Sequence, residues 1–548
     1  MKYVQYRLNR SFSRMWVLTI ALISTCIWLL YRWINSKNEY WRKKGIPFVR
    51  PVPLFGTMYP VISGKQSFAD LLQVQYTELK ASGRGYGGIF EFLTPTIMIT
   101  DPELIRLVTV KDFEHFAERR TPDMKDDTDP LFHRSLTSLK SDDWKHMRTI
   151  LSPAFTTSKL RGMFPLLSKC SSELIKALEQ ESEICESLEM SKHFNRLAND
   201  VIGSVAFGHE SQAIKNDKDE FFLMGQRLRN FSGLRYLIVA GYMLAPKLMK
   251  LLGISFTPKD ISVYFRRLII GTMEQRDKLS ISRPDMLQLL MAAQKGGITR
   301  EKNDEIDSGT MGEDAIAETE RIKVFSSARL NDGKRNITDE DIAAQAFIFF
   351  LAGYDTVSAV LSFTAHLLAC NPEVQQKLFE EISSELGSGN ATDYDTIRSM
   401  KYLDMVISES LRLYPPAVFS DRKCTKNYKF PNSDFVMEAG QGIVYPIFAL
   451  HRDPELFENP EIFDPERFND ENKKKIRPYT YLPFGSGPHN CIGMRFALLE
   501  AKVCLVHLSK KFELEVCAKT ELPLKISTKT FQMTTDNGFW LRLRARTK

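Results

Sequence analysis

The chain has 548 residues, 43% hydrophobic and 26% charged, a globular composition that excludes disorder as the dominant state. Its 74 basic and 67 acidic residues leave a net charge of only +7, too small at this length to indicate nucleic acid and compatible with an acidic protein partner or an anionic membrane surface. The 8 cysteines are scattered without CxxC pairs, which suits a reducing compartment and suggests neither a disulfide scaffold nor a zinc site.

Near the start, Met15 to Tyr31 carries no charge and would rise about 25 Å as a helix, near the short limit for crossing hydrocarbon. Extension through Trp33, with Arg32 snorkelling, completes a span, and Trp16, Trp28 and Trp33 lie near its ends, where amphipathic rings prefer the interface. A basic start before an apolar centre also describes a cleaved signal peptide. The only small-residue pair near the end of the run, Ser24 with Cys26, leads into bulky Trp28-Leu29-Leu30-Tyr31-Arg32-Trp33, so a retained transmembrane helix over residues 1–33 is the preferred reading. Lys2, Arg7, Arg10 and Arg14 before the run, against Arg32, Lys37, Arg42, Lys43, Lys44 and Arg50 after it, give a weak bias toward a cytosolic C-terminal side. Residues 34–60 hold Gly45-Ile46-Pro47 and Pro51-Val52-Pro53, whose fixed dihedrals make a stiff proline-rich connector. Residues 61–548 contain no clean linker followed by a second start, so a single catalytic domain is expected there.

Ile89 to Thr100 is rich in β-formers around Thr94-Pro95 and predicts a hairpin. Beyond Pro102 the pattern is mostly helical, so the expected fold class is mainly α with a small β region. Trp144 and Arg148 stand four apart in a helical pattern, a pair able to hold a carboxylate or simply a packed face. Leu234 to Ile254 is apolar enough to touch lipid and equally suits a buried helix pair. Lys295 to Asn336 is polar, lacks sustained apolar periodicity and reads as a surface loop. Thr338 with Asp339, Glu340 and Asp341 opens the longest apolar helix, which Asn371-Pro372 stops after about 50 Å. Inside it, Gly353 weakens the helix and Thr356 can bond back to the carbonyl of Ala352, so the ladder can open locally; a kink with a polar lining is the competing reading. Glu409 and Arg412 stand three apart on a helix that ends before Pro415-Pro416, and Arg467 follows in Pro465-Glu466-Arg467-Phe468. By itself the Glu409 and Arg412 pair could be a surface ion pair.

The most informative stretch runs from Phe484 to Gly493, where a glycine-rich turn presents Cys491 at the mouth of a helix formed by Met494 to Lys502. Unpaired amide N–H groups and the helix dipole favour a thiolate there, and Gly485, Gly487 and Gly493 allow tight turning and close approach of a flat ligand. The plain alternative is a small buried cysteine in a glycine-rich loop.

The order of Phe484, the glycines, His489 and Cys491 resembles the haem-binding loop of the cytochrome P450 family, with His489 where that loop usually has arginine. The resemblance runs from about Gly45 to the C-terminus and is nearest the microsomal, drug-metabolising type, judged from LAGYDTVSAVLSF and FGSGPHNCIGMRFAL. It implies the cytochrome P450 fold behind a membrane anchor, haem b held by Cys491, and a Glu409, Arg412 and Arg467 triad that braces the cysteine loop. Arg119, Trp144, Arg148, Arg422, Phe484, Gly485, His489 and Gly493 match cofactor-binding positions, and Asp355 and Thr356 match the acid and alcohol that deliver protons during dioxygen activation. Phe347, Phe350, Leu351, Ala417, Val418, Phe419 and Phe531 match pocket positions, with core packing as the competing explanation for each. The implied activity is monooxygenation of a lipophilic substrate at an endoplasmic reticulum membrane, the catalytic domain facing the cytosol. Electrons would come from an NADPH-dependent flavoprotein reductase, with cytochrome b5 and membrane lipid as further partners and no nucleic acid. Lys473, Lys474, Lys475 and Arg477 could form part of a basic docking face or be a solvated charge run. Two alternatives keep the haem: an isomerase or dehydratase acting on a peroxide, against which Asp355 and Thr356 argue, and a catalytically silent haem-binding membrane protein.

Overall fold

The computed structural model describes residues 2–121, 126–229, 238, 241–242, 244–295, 337–387 and 392–546, with the backbone alone for 2–14. The polar stretch 296–336 lies outside the described residues, as do 234–237, 239–240 and 243 of the apolar run that ends at Ile254.

The first helix, α1 (Lys2–Asn38), is continuous through the expected anchor. Trp16, Val17, Leu18, Leu22 and Ile27 on it are each more than half exposed, so this apolar surface has no protein partner among the described residues and is a candidate membrane span. Contact with the body of the molecule begins at Ile34 and is fixed by Trp41. The indole of Trp41 is fully buried, donates Nε1 to the carbonyl of Ile89 at 3.1 Å, and lies so close to Gly88 that a Cβ there would stand 2.3 Å from the ring.

The main helices that follow are α2 (Phe68–Lys80), α3 (Ser141–Leu151), α4 (Thr157–Ile184), α5 (Met190–Ile202), α6 (Glu220–Arg229), α7 (Lys259–Leu279), α8 (Met286–Gln294), α9 (Asp339–Cys370), α10 (Pro372–Leu386), α11 (Lys401–Leu413) and α12 (Met494–Lys511). Helix α9 is the axis of the fold and packs against α5, α7, α11 and α12. Its start matches the sequence signal: Thr338 Oγ1 accepts from the Asp341 amide at 3.2 Å while Asp341 Oδ2 accepts from the Thr338 amide at 3.0 Å, a reciprocal cap. Asn371 closes it and Pro372 opens α10.

The β region is small, as expected. Strands β1 (Tyr86–Glu91) and β2 (Thr94–Ile99) form the antiparallel hairpin, with Glu91 paired to Thr94. Its turn falls at Phe92, φ 55°, so Pro95 sits inside the second strand opposite Phe90 rather than at the centre of the turn. After the short β3 (Leu188–Glu189) come β4 (Ser420–Lys423), β5 (Tyr428–Lys429), β6 (Val436–Met437) and β7 (Gly442–Tyr445), then β8 (Phe512–Val516) and β9 (Trp540–Ala545). The order β1-β2-β7-β4 makes one sheet, with β2 and β7 parallel, and β3-β9-β8 makes a second.

Candidate active site

The cysteine loop is built by its own backbone. The amides of Gly485, Asn490 and Cys491 donate to the carbonyls of Leu482, Gly487 and Phe484 at 3.0, 2.9 and 2.8 Å. Gly487 has φ +71°, and a Cβ there would stand 1.9 Å from the Thr109 carbonyl, so no other residue fits. Gly485 also has positive φ, +73°. Gly493 does not meet the expectation of a conformational glycine: its φ is −90°, and a Cβ there would find only the Phe155 ring, at 3.7 Å. It precedes α12 as the residue that caps it. The Cys491 side chain keeps accessible surface although the loop lies within the protein. Burial raises the Cys491 pKa, and the Gly493 amide with Arg148 and Arg119 offsets this only in part. A coordinated metal ion deprotonates a thiol outright, so a metal bound at this sulfur would make it a thiolate.

Beside the loop stands a cluster of cations. Arg119 donates to the His489 carbonyl at 2.9 Å and approaches Asp421 at 3.5 Å, while Arg148 donates to Asn490 Oδ1 at 2.8 Å. Arg148 and Trp144 are both buried on the inner face of α3, as their spacing predicts. Arg422, on β4, is wholly buried. It donates to the carbonyls of Asp421 and Ser486, its Nε has no hydrogen-bond partner, and no carboxylate lies within ion-pair distance of it among the described residues. Phe484 is half-buried against the core. His489 stacks on Trp144, ring centroids 3.7 Å apart, and its Nε2 lies 2.7 Å from the Ala117 carbonyl, so Nε2 is the donor. Burial, then Arg422 and Arg119, hold its pKa well below the usual histidine value. The ring is therefore neutral and its Nδ1 is an acceptor, which cannot donate to an anion as arginine would.

Glu409 and Arg412 pair as their spacing suggests, and Arg467 joins them from 58 residues away. Glu409 and Arg412 are wholly buried and paired through two bonds of 2.7 Å, and Arg467 Nε approaches Glu409 Oε1 at 3.4 Å. The carbonyls of His451 and Ile462 take up further Arg412 donors at 2.8 and 3.2 Å. The sequence reading missed His451, which connects this brace to the cysteine loop. Its Nδ1 donates to the Arg412 carbonyl at 3.2 Å, and its Nε2 accepts from the Leu482 amide at 2.8 Å. Burial and the Arg412 charge hold its pKa down at about 3. No local pattern marks this residue, because both partners are distant in the chain.

On α9, Thr356 Oγ1 donates to the Ala352 carbonyl at 2.7 Å as expected, but the helix runs unbroken through Gly353, so the expected local opening is not seen. Ala352 and Thr356 are exposed on a helix whose other faces are buried, which gives it one open face. Phe155 spans the gap toward the cysteine loop, from beside Gly493 to Phe349, with ring centroids 5.6 Å apart. Asp355 points elsewhere: its Oδ1 lies 3.3 Å from Arg229 on α6, and its Oδ2 accepts from Gln532 Nε2 at 2.7 Å. Burial raises its pKa against the pull of Arg229. Phe347 and Phe350 are core, not pocket, because both pack on Phe265, and Phe350 also meets Phe207 and Phe221. Val418 is buried as well. Leu351 is half-buried, Ala417 is exposed, and Phe419 and Phe531 both pack edge-on against Phe68, a residue the sequence reading did not single out.

The family model described as Cytochrome P450 matches residues 47–322 and 298–542. The chain belongs to the cytochrome P450 family. This P450 is 44% identical over 551 residues to cytochrome P450 9e2 of Blattella germanica, covering 97% of this chain and 98% of the relative. It is 37% identical over 535 residues to probable cytochrome P450 9f2 of Drosophila melanogaster, covering 95% and 98%, and 34% identical over 521 residues to cytochrome P450 6k1 of Blattella germanica, covering 95% of each. It is a P450 of the microsomal type, an oxidoreductase of the haem-thiolate monooxygenase class, and haem b is its cofactor. The residues present fit that group: a sulfur keeps accessible surface, and a buried guanidinium with an unpartnered Nε stands in a cluster of cations beside it.

Proposed function

We propose that this P450 inserts one oxygen atom from dioxygen into a lipophilic small molecule, with electrons from an NADPH-dependent flavoprotein reductase. It does so at the endoplasmic reticulum membrane, its catalytic domain facing the cytosol. The observation that carries this reading is the single glycine-rich loop that presents Cys491 to open space beside Arg119, Arg148 and Arg422. Haem bound there supplies redox chemistry, in which dioxygen, two electrons and two protons yield water and a hydroxylated substrate, and a thiolate ligand favours cleavage of the O–O bond.

Cys491 is the iron ligand. Arg119, Arg148 and Arg422 hold the propionates, Trp144 and His489 wall that end as a neutral stacked pair, and Phe484, Gly485 and Gly493 shape the surface under the ring. Glu409, Arg412 and Arg467, through His451, keep the loop at its height. Thr356 stands on the open face of α9 and positions a proton there, and Asp355 supplies it once freed from Arg229 and Gln532. Ala417, Phe419, Phe531 and Phe68 form an apolar wall for the substrate, and expulsion of water by such a wall keeps the reaction dry. The basic run Lys473 to Lys475 with Arg477, of which Lys474, Lys475 and Arg477 are exposed, is part of the reductase docking face, and cytochrome b5 shares it.

A reduced carbon-monoxide difference spectrum tests the ligand. The wild type should give the band of a thiolate-ligated haem, and Cys491→Ser should lose it. Substrate-dependent NADPH oxidation with purified reductase, compared with turnover of an organic hydroperoxide without it, tests the reaction. Turnover of the peroxide alone would replace this reading with an isomerase or dehydratase.

A further inference from the structure

Two adjacent residues near the C-terminus touch different parts of the site. Phe531 packs edge-on on Phe68 at 5.3 Å, and Phe68 packs edge-on on Phe419 at 5.4 Å, so three distant segments close one aromatic trio. Phe531 keeps 42% of its surface exposed, and this contact is shallow. The next residue, Gln532, donates to Asp355 Oδ2 at 2.7 Å, a shorter contact than the 3.3 Å from Arg229 to the other oxygen. The loop is clamped on both sides of this tip. Ser527 Oγ donates to Asp536 Oδ1 at 2.6 Å, the Ser527 amide donates to the Thr534 carbonyl at 2.8 Å, and Met533 is buried. Arg229 is fixed in turn by Asn195 Oδ1 at 3.1 Å. Between these clamps the tip is short, and Phe531 and Gln532 stand side by side on it.

We propose that Gln532 is a positioning residue that couples substrate binding to proton delivery: a lipophilic substrate displaces Phe531 from Phe68, the tip carries Gln532 off Asp355, and the acid is released toward Thr356. This rests on the reading of Asp355 as proton donor and Phe531 as pocket wall. Without substrate both carboxylate oxygens are engaged, and protons are withheld. The device has a chemical use. Two electrons and two protons delivered to dioxygen with no substrate leave as hydrogen peroxide, whereas with substrate they give one water and one hydroxylated product.

The test uses full-length holoenzyme with reductase and NADPH and no added substrate. Gln532→Ala and Phe531→Ala should each raise hydrogen peroxide release about three- to ten-fold, the worth of one ordinary hydrogen bond. The double variant should exceed neither single one, as expected of residues in one chain of contacts. Amide hydrogen exchange across 527–536 in the resting holoenzyme should speed up in Phe531→Ala. Wild-type peroxide release in Gln532→Ala, additive effects in the double variant, or unchanged exchange would each overturn the proposal. Asp355→Asn separates the two readings. Wild-type substrate turnover in it removes Asp355 as donor, while a loss of about ten-fold or more, together with a silent Gln532→Ala, overturns the coupling alone.

Discussion

His451 shows how a single side chain can join two parts of a site without touching a ligand. Its donor nitrogen serves the Arg412 carbonyl and its acceptor nitrogen serves the Leu482 amide, which leads into the cysteine loop. Glutamine can place an amide oxygen where Nε2 stands, whereas asparagine reaches only the Nδ1 position. His451→Gln should therefore keep most of the thiolate-type carbon-monoxide band, and His451→Asn should lose much of it; equal loss in both would reduce the residue to packing. The same residue predicts acid sensitivity. The folded ring resists protonation down to about 3 while the unfolded chain takes up its proton near the ordinary value of 6.5, so between those limits the unfolded state binds more protons. Stability is full above that window and falls as pH drops through it, by at most about 1.4 kcal/mol per pH unit from this group. Urea unfolding of the holoenzyme at successive pH values from 7 to 5 should show that slope, and His451→Gln should flatten it. At Gly487 the margin is steric rather than electrostatic. Gly487→Ala drives a methyl group into the Thr109 carbonyl and should lower stability by about 2–4 kcal/mol, read as a fall in Tm with loss of haem.

Among the elements, those with a strong local signature were legible before any coordinates. The reciprocal cap at Thr338 and Asp341 and the stop at Asn371-Pro372 bracket α9 because capping is decided within four residues. The Glu409 and Arg412 pair was equally legible, since a three-residue spacing on a helix places both on one face. What stayed hidden depends on contacts across the chain. The tie from Gln532 to Asp355 spans 177 residues, and that from His451 to Leu482 spans 31, so no spacing argument reaches either. Nor does periodicity separate the sides of a helix buried nearly all round: Phe347 and Phe350 face α7, while Ala352 and Thr356 hold the open face. Charge states were hidden for a related reason. The neutrality of His489 and the raised pKa of Cys491 both follow from burial, which the sequence of a glycine-rich loop does not reveal.

At the scale of the whole molecule, the joint between α1, the candidate membrane span, and the body fixes the direction in which that helix leaves the protein. Trp41 is locked by its bond to Ile89 and by contact with Gly88 on β1, the edge strand of the first sheet, so the chain leaving the anchor is fixed to the sheet within a few residues of Ile34. Fixing the joint this way ties the direction of the helix to the sheet, because β1 cannot rotate independently of the core it helps to form. Two truncations should therefore behave differently. Removing residues 2–33 takes away the exposed side chains from Met15 to Trp33, and should release the enzyme from membranes with its haem and Tm retained. Carrying the deletion past Trp41, or replacing it by alanine in the shorter form, empties a fully buried indole site and should lower stability by about 3–5 kcal/mol. Flotation with vesicles reads the first effect and thermal unfolding followed at the Soret band reads the second. Equal Tm values for the two truncated forms would show that the sheet, not the tryptophan, sets where the catalytic domain begins.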